Sequence, residues 1–160
     1  MEEYEYSFKV LSIKPYIDYC EENNYKKIEI TKQNRIIYEN KHVDHIIARI
    51  TIEIKNGKEV ITFDCKNVGE AKGELKISKE SLVMEVPRND KEKIESMLEV
   101  LDFKEVVNLN RTRYIYEKEN VKFELDSYID PKMNVVALEG NRNEVDIVYE
   151  ELKKLKLDKK

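Results

Sequence analysis

The chain has 160 residues, with 29 Lys+Arg against 33 Asp+Glu and a formal net charge of −4. Charged residues make up 39% and apolar residues 41%, too much apolar content for a disordered tail and enough chain for one domain with a sizeable core. The acidic balance argues against a general nucleic-acid or anionic-membrane binder, whose affinity comes from surplus Lys and Arg.

Most segments show the period-2 alternation of a two-faced strand. At the N-terminus Tyr4, Tyr6, Phe8 and Val10 oppose Glu3, Glu5, Ser7 and Lys9. A short helix follows: Ser12 can cap it, Pro15 falls in its first turn, and it runs to about Asn24, burying Tyr16, Ile17 and Cys20. Residues 26–39 form a less regular strand. From Ala48 to Lys55 the alternation is cleanest, with Ile50, Ile52 and Ile54 on one parity and Arg49, Thr51, Glu53 and Lys55 on the other. Asn56-Gly57 predicts a two-residue hairpin turn, after which Ile61, Phe63 and Cys65 return opposite Thr62, Asp64 and Lys66. Residues 73–86 are another irregular strand candidate.

Asn89 or Asp90 can cap a second helix, whose Ile94, Met97, Leu98 and Leu101 follow the spacing of a buried stripe. A long strand is predicted over residues 103–117 and a less regular one over 134–140. Between them Val121, Phe123 and Leu125 alternate with Lys122, Glu124 and Asp126. Asn141 or Asn143 can cap the last helix, with Val145, Val148, Tyr149, Leu152 and Leu155 on one stripe. Its Lys-rich end, 153–160, suits a C-terminus fraying into solvent. The total is about eight strands, with no repeat and no interdomain linker, so residues 1–160 read as a single domain.

Cys20 and Cys65 lie outside any Cys-x-x-Cys pattern and read as buried thiols rather than a disulfide or zinc site. The N-terminus lacks the basic and apolar regions of a signal peptide, so a cytoplasmic protein with no membrane partner is expected. His42 and His45 do not share a face outside a helix and read as exposed, while most of the ten tyrosines fall at packing positions.

Taken together, the polar strand faces are dominated by full charges of both signs, where an open solvated sheet would show more Thr, Ser and Gln. If the sheet closes into a barrel with helices outside, those charges line an interior that must hold water, metal or an anionic ligand.

The segments carrying these charges resemble, in order, those of the CYTH superfamily, the triphosphate tunnel metalloenzymes. Glu3-Tyr4-Glu5-Tyr6-Ser7-Phe8-Lys9 resembles the family's opening Glu-x-Glu-x-Lys strand, with Ser7 in place of its lysine and Lys9 at the following basic position. Ile47-Ala48-Arg49-Ile50-Thr51 resembles Leu-Arg-Ile-Arg, with the second arginine replaced by Thr51. Ile61-Thr62-Phe63-Asp64 resembles Leu-Thr-aromatic-Lys, with Asp64 at the lysine and Lys66 two residues on. Leu101-Asp102-Phe103, the basic Arg111-Thr112-Arg113-Tyr114-Ile115-Tyr116, and Val121–Asp126 follow in family order. Val136-Ala137-Leu138-Glu139 resembles a terminal x-Glu-x-Glu strand, with Ala137 replacing the first glutamate.

The resemblance implies an α+β fold, an eight-stranded antiparallel closed barrel forming a tunnel with a charged interior and helices packed outside. It implies a metal-dependent hydrolase of inorganic triphosphate, a nucleoside triphosphate or thiamine triphosphate. Glu3, Glu5 and Glu139, with Asp126 and Glu85 as further ligands, would offer oxygens to Mg²⁺ or Mn²⁺. Lys9, Arg49, Lys66, Arg111 and Arg113 would bind phosphate oxygens, making the lumen cationic, and Glu5 and Lys9 would be the catalytic residues. The changes at Ser7, Thr51, Asp64 and Ala137 give the alternative of a catalytically degenerate module that binds a nucleotide or polyphosphate. A class IV adenylate cyclase is a further alternative, although no base-recognition motif accompanies it. The expected partner is a triphosphate or polyphosphate small molecule, not nucleic acid, and a homodimer is left open.

Overall fold

Strict alternation produces long strands, and the computed structural model, which describes residues 2–155, contains nine of them among those residues. In chain order the elements are β1 (Glu2–Val10), α1 (Lys14–Glu22), β2 (Lys26–Asn40), β3 (Ile46–Lys55), β4 (Lys58–Lys72), β5 (Leu75–Glu80), β6 (Met84–Glu85), α2 (Lys91–Val100), β7 (Phe103–Lys118), β8 (Val121–Ile129), β9 (Met133–Gly140) and α3 (Arg142–Leu155). The last five residues of the predicted Lys-rich end lie outside the described residues.

Every pairing is antiparallel, and the strands follow the order β2-β7-β8-β9-β1-β5-β4-β3, with β3 pairing back onto β2 to close an eight-stranded barrel. The two-residue β6 adds to β4 opposite Thr62 and Phe63. Closure removes the unpaired edges that an open sheet of this length would expose. It also puts β1 and β2 on opposite walls, since three strands separate them in either direction. The predicted β3–β4 hairpin forms: Asn56 (φ 51°) and Gly57 (φ 74°) occupy a turn whose two central residues both need positive φ.

The apolar parity of the strands faces the helices. Phe8, Phe123, Leu125, Val136 and Leu138 pack with Tyr16, Tyr19 and Cys20 of α1 and with Val145 and Leu152 of α3. A second cluster joins Ile36, Tyr38, Ala48, Ile50 and Ile61 to Ile94 and Leu98 of α2. None of the described helices is long and apolar enough to cross a membrane.

Helix boundaries differ from the expected ones in detail. Ile13, not Ser12, is the N-cap of α1; the Ser12 hydroxyl accepts the Lys14 N–H at 3.1 Å, which ties the chain one residue earlier. Asp90 caps α2 without a side-chain bond, and only Ile94 and Leu98 of its predicted stripe are buried, because Met97 and Leu101 remain 59% and 60% exposed. At α3 the Asn141 side chain accepts the Asn143 N–H at 3.1 Å, an N-cap contact. Of the two thiols, Cys20 is buried and Cys65 only partly so, and both are free. The irregular stretch 73–86 divides into β5 and β6.

Gly140 closes β9 at φ 141°, where a Cβ would lie 1.9 Å from the Asn120 carbonyl oxygen. Gly140→Ala is therefore expected to destabilise the protein by about 3 kcal/mol through backbone strain and overpacking. Chemical denaturation checks this, and a change below about 1 kcal/mol would show that the β9–α3 junction adjusts freely.

Candidate functional site

On the face turned away from the helices, β1 contributes Glu3 and Glu5, two residues apart and therefore on one side of the strand. The β1–β9 register sets Glu5 directly opposite Glu139. Like charges in that position destabilise a sheet, so the pairing calls for a compensating cation. Glu3, Glu5 and Glu139 each bring one carboxylate oxygen within 4.8 Å of the others, which makes a group able to hold a metal ion.

The protonation of this group follows from its surroundings. Burial, then a hydrogen bond with Glu80, then the charges of Glu139 and Glu80 push Glu3 up to about 10. Burial would also raise Glu80, but its hydrogen bonds with Glu3 and Arg49 and the charge of Lys66 hold it down to about 2. The Glu3–Glu80 pair thus holds one proton well above the ordinary carboxylate range. Burial and the Glu124 charge raise Glu139 as well, while Lys122 at 2.5 Å opposes them.

The expected phosphate-binding cations are mostly engaged already. Arg49 Nε donates to Asp64 Oδ1 at 3.1 Å, its Nη2 contacts Asp64 Oδ2, and Nη2 also donates to Glu80 at 2.7 Å. Lys66 lies 3.8 Å from the same Glu80. Arg113 grips Asp126 through Nε and Nη2, at 2.8 and 2.9 Å, and donates to Glu124 at 2.9 Å. These partners hold Arg113 charged despite the burial that opposes it, and Arg113, Lys122, Arg35 and Arg111 in turn hold Glu124 down to about 2. Arg111 donates to Gln33 and Tyr128, each at 2.8 Å, and lies 3.4 Å from Asp126. A predominantly cationic surface was expected; instead carboxylates interleave with the cations, because the strands meet in a register that pairs opposite signs.

Glu3, Glu5 and Glu139 therefore come together, and so do Arg111 and Arg113 with Asp126. Asp126 is bound by the arginines and is not one of the three grouped carboxylates. Glu85 sits exposed on β6, apart from that group. Lys9 shares the parity of Glu5 but is exposed, with no ion pair among the described residues. Four residues outside the predicted set shape the site: Arg35, Glu80, Lys122 and Glu124. Lys122 and Glu124 carry the parity signal in a regular strand, whereas Arg35 and Glu80 lie in two of the three segments whose alternation is less regular.

The chain is thus a closed antiparallel barrel with buried charges paired across its strands. No protein-family model matches the chain, and no curated protein sequence does. Solved structures share the fold. PH1012 from Pyrococcus horikoshii is 22% identical with a TM-score of 0.73, covering 98% of this chain and 91% of that one. HpAC1 from Hippeastrum, a candidate adenylyl cyclase with a dominant triphosphatase activity, is 12% identical with a TM-score of 0.68, covering 95% and 87%. A candidate adenylate cyclase from Bacillus halodurans is 14% identical with a TM-score of 0.59, covering 99% and 93%. The chain has the fold that its resemblance to the CYTH superfamily implies, in a divergent form.

Proposed function

We propose that this protein is a metal-dependent hydrolase of a triphosphate-containing substrate, either inorganic triphosphate, a nucleoside triphosphate or thiamine triphosphate. The observation that carries the reading is the convergence of Glu3, Glu5 and Glu139 on one wall of a barrel whose strand β7 carries two buried arginines, Arg111 and Arg113. Three carboxylate oxygens suit a hard divalent cation, Mg²⁺ or Mn²⁺. Bound there, such an ion would neutralise phosphate charge and orient the phosphates for attack by water. A triphosphate brings about four negative charges, and the carboxylates on this face would repel it without such an ion.

In this reading Glu5 is the central ligand, because it faces Glu139 directly and shares its strand face with Glu3. Arg111, fixed by Gln33 and Tyr128, presents a rigid donor that positions phosphate oxygens without ordering cost, and Arg113, held by Asp126 and Glu124, adds its charge beside it. Lys9, at the exposed end of the same strand face, neutralises charge on the leaving phosphate. A second reading, binding without turnover, draws support from Arg49, whose guanidinium is already taken by Asp64 and Glu80.

The test is phosphate release from tripolyphosphate, ATP and thiamine triphosphate with Mg²⁺ and with Mn²⁺. Release from at least one, abolished by chelation and lowered about 100-fold or more by Glu5→Gln, is expected. No release from any of the three, or release that Glu5→Gln leaves intact, overturns hydrolysis. Thermal stabilisation by triphosphates without turnover would then favour the binding module.

A further inference from the structure

Arg35 lies on β2, the wall opposite β1, and differs from the other charged groups of this face. Arg49, Lys66, Arg111, Arg113 and Lys122 each have a carboxylate within 4 Å, and Arg35 has none among the described residues. Its Nε donates to the Thr51 hydroxyl at 3.1 Å, and neither Nη group meets an acceptor among the described residues. The neighbouring cation is Arg111: Gln33 pairs with Arg111 across β2 and β7, so Arg35, two residues beyond Gln33, is its diagonal neighbour on the same face.

Arg111 carries the second orphan. Its side chain is 5% exposed, and Nη2 is buried without a hydrogen-bond partner. The rest of that guanidinium is pinned by Gln33, Tyr128 and Asp126, so Nη2 cannot turn to find one. A buried unpaired donor on a fixed cation is costly, and next to a second cation it is more so. Burial and then the charges of Arg111, Arg113 and Arg49 push Arg35 down to about 9, with Glu124 the opposing charge.

We propose that Arg35 and the free Nη2 of Arg111 form a metal-independent subsite for one phosphoryl group, on the wall opposite Glu3, Glu5 and Glu139. Two guanidinium edges with unused donors match a tetrahedral dianion better than a single planar carboxylate. The subsite rests on the reading of this face as phosphate-binding and adds an orientation: one end of the substrate is held by arginine and the other faces the three carboxylates across the barrel.

The experiment is a calorimetric titration of the full chain with inorganic phosphate in the presence of EDTA, repeated with tripolyphosphate as competitor. Wild type is expected to bind phosphate, Arg35→Gln to bind it about 10- to 100-fold more weakly, and tripolyphosphate to compete. Arg35→Gln removes an uncompensated charge, so the variant is expected to fold at least as stably as wild type, and a denaturation curve checks this. Binding in EDTA with no turnover in Mg²⁺ or Mn²⁺ keeps the subsite while the hydrolase reading fails. Absence of metal-free binding in wild type, or equal binding in Arg35→Gln, overturns the subsite even if hydrolysis is observed.

Discussion

Arg113→Met is expected to destabilise the fold by about 3–5 kcal/mol, because it strands buried carboxylates without their countercharge. Asp126 is 2% exposed and takes two hydrogen bonds from Arg113, and Glu124 takes a third. Arg111 at 3.4 Å and Lys122 at 3.6 Å compensate only in part. The loss has a pH signature. Glu124 is held at about 2, below its ordinary 4.5, so its stabilisation is present above pH 4.5 and is lost as pH falls toward 2. The variant should therefore differ most from wild type near neutral pH and least below pH 3. Replacing the whole trio, with Asp126→Leu and Glu124→Gln added, is expected to recover much of the loss. Urea unfolding measures all three proteins; a shift of under 1 kcal/mol for Arg113→Met at pH 7 would mean that water reaches these carboxylates.

The second large effect concerns metal affinity and pH. A cation on Glu3, Glu5 and Glu139 must displace the proton held by the Glu3–Glu80 pair, in which Glu3 is pushed up to about 10. Affinity for Mn²⁺ should then fall about tenfold for each pH unit below that value, or about 100-fold between pH 8 and pH 6. Each ion bound near pH 7 should release about one proton. Calorimetry in two buffers of different ionisation enthalpy reads the release directly, and identical heats in both would refute it. Glu3→Gln should bind the ion more weakly and with a flatter pH dependence. In the metal-free protein the sign for stability is opposite to that of Glu124: the raised Glu3 contributes stability below pH 4.5 that is lost as pH rises toward 10. The metal ion should extend stability into the alkaline range.

The parity of each regular strand was legible because one side chain in two is apolar, as from Ala48 to Lys55, and the barrel matches the eight strands expected. Glu3 and Glu5 were legible as a pair for the same reason. Their meeting with Glu139 depends on the β1–β9 register, which joins segments far apart in the chain and leaves no mark on either alone. Arg35 was obscured by a physical irregularity: β2 shifts register against β7 between Ile37 and Tyr38, and the consecutive Ile36-Ile37 breaks the alternation there. Glu80 was obscured likewise, since β5 follows a register shift in β4 between Val68 and Ala71. Composition counted cations without their partners, so the expected cationic surface proved to be one of interleaved signs.

The β3–β4 register that closes the barrel has a consequence for how the chain finds its fold. A slip of one residue at the Asn56-Gly57 turn would flip one strand against the other and swing either Arg49 or Asp64, which face each other on one side of the hairpin, into the layer where Ile50 and Ile61 meet α2. A full charge stripped of its partner cannot be accommodated in that layer, and a flipped β3 would also leave Glu80 without Arg49. The ion pairs thus act as a registration code, making every mispaired ring more costly than the correct one while the sheet is still zipping shut.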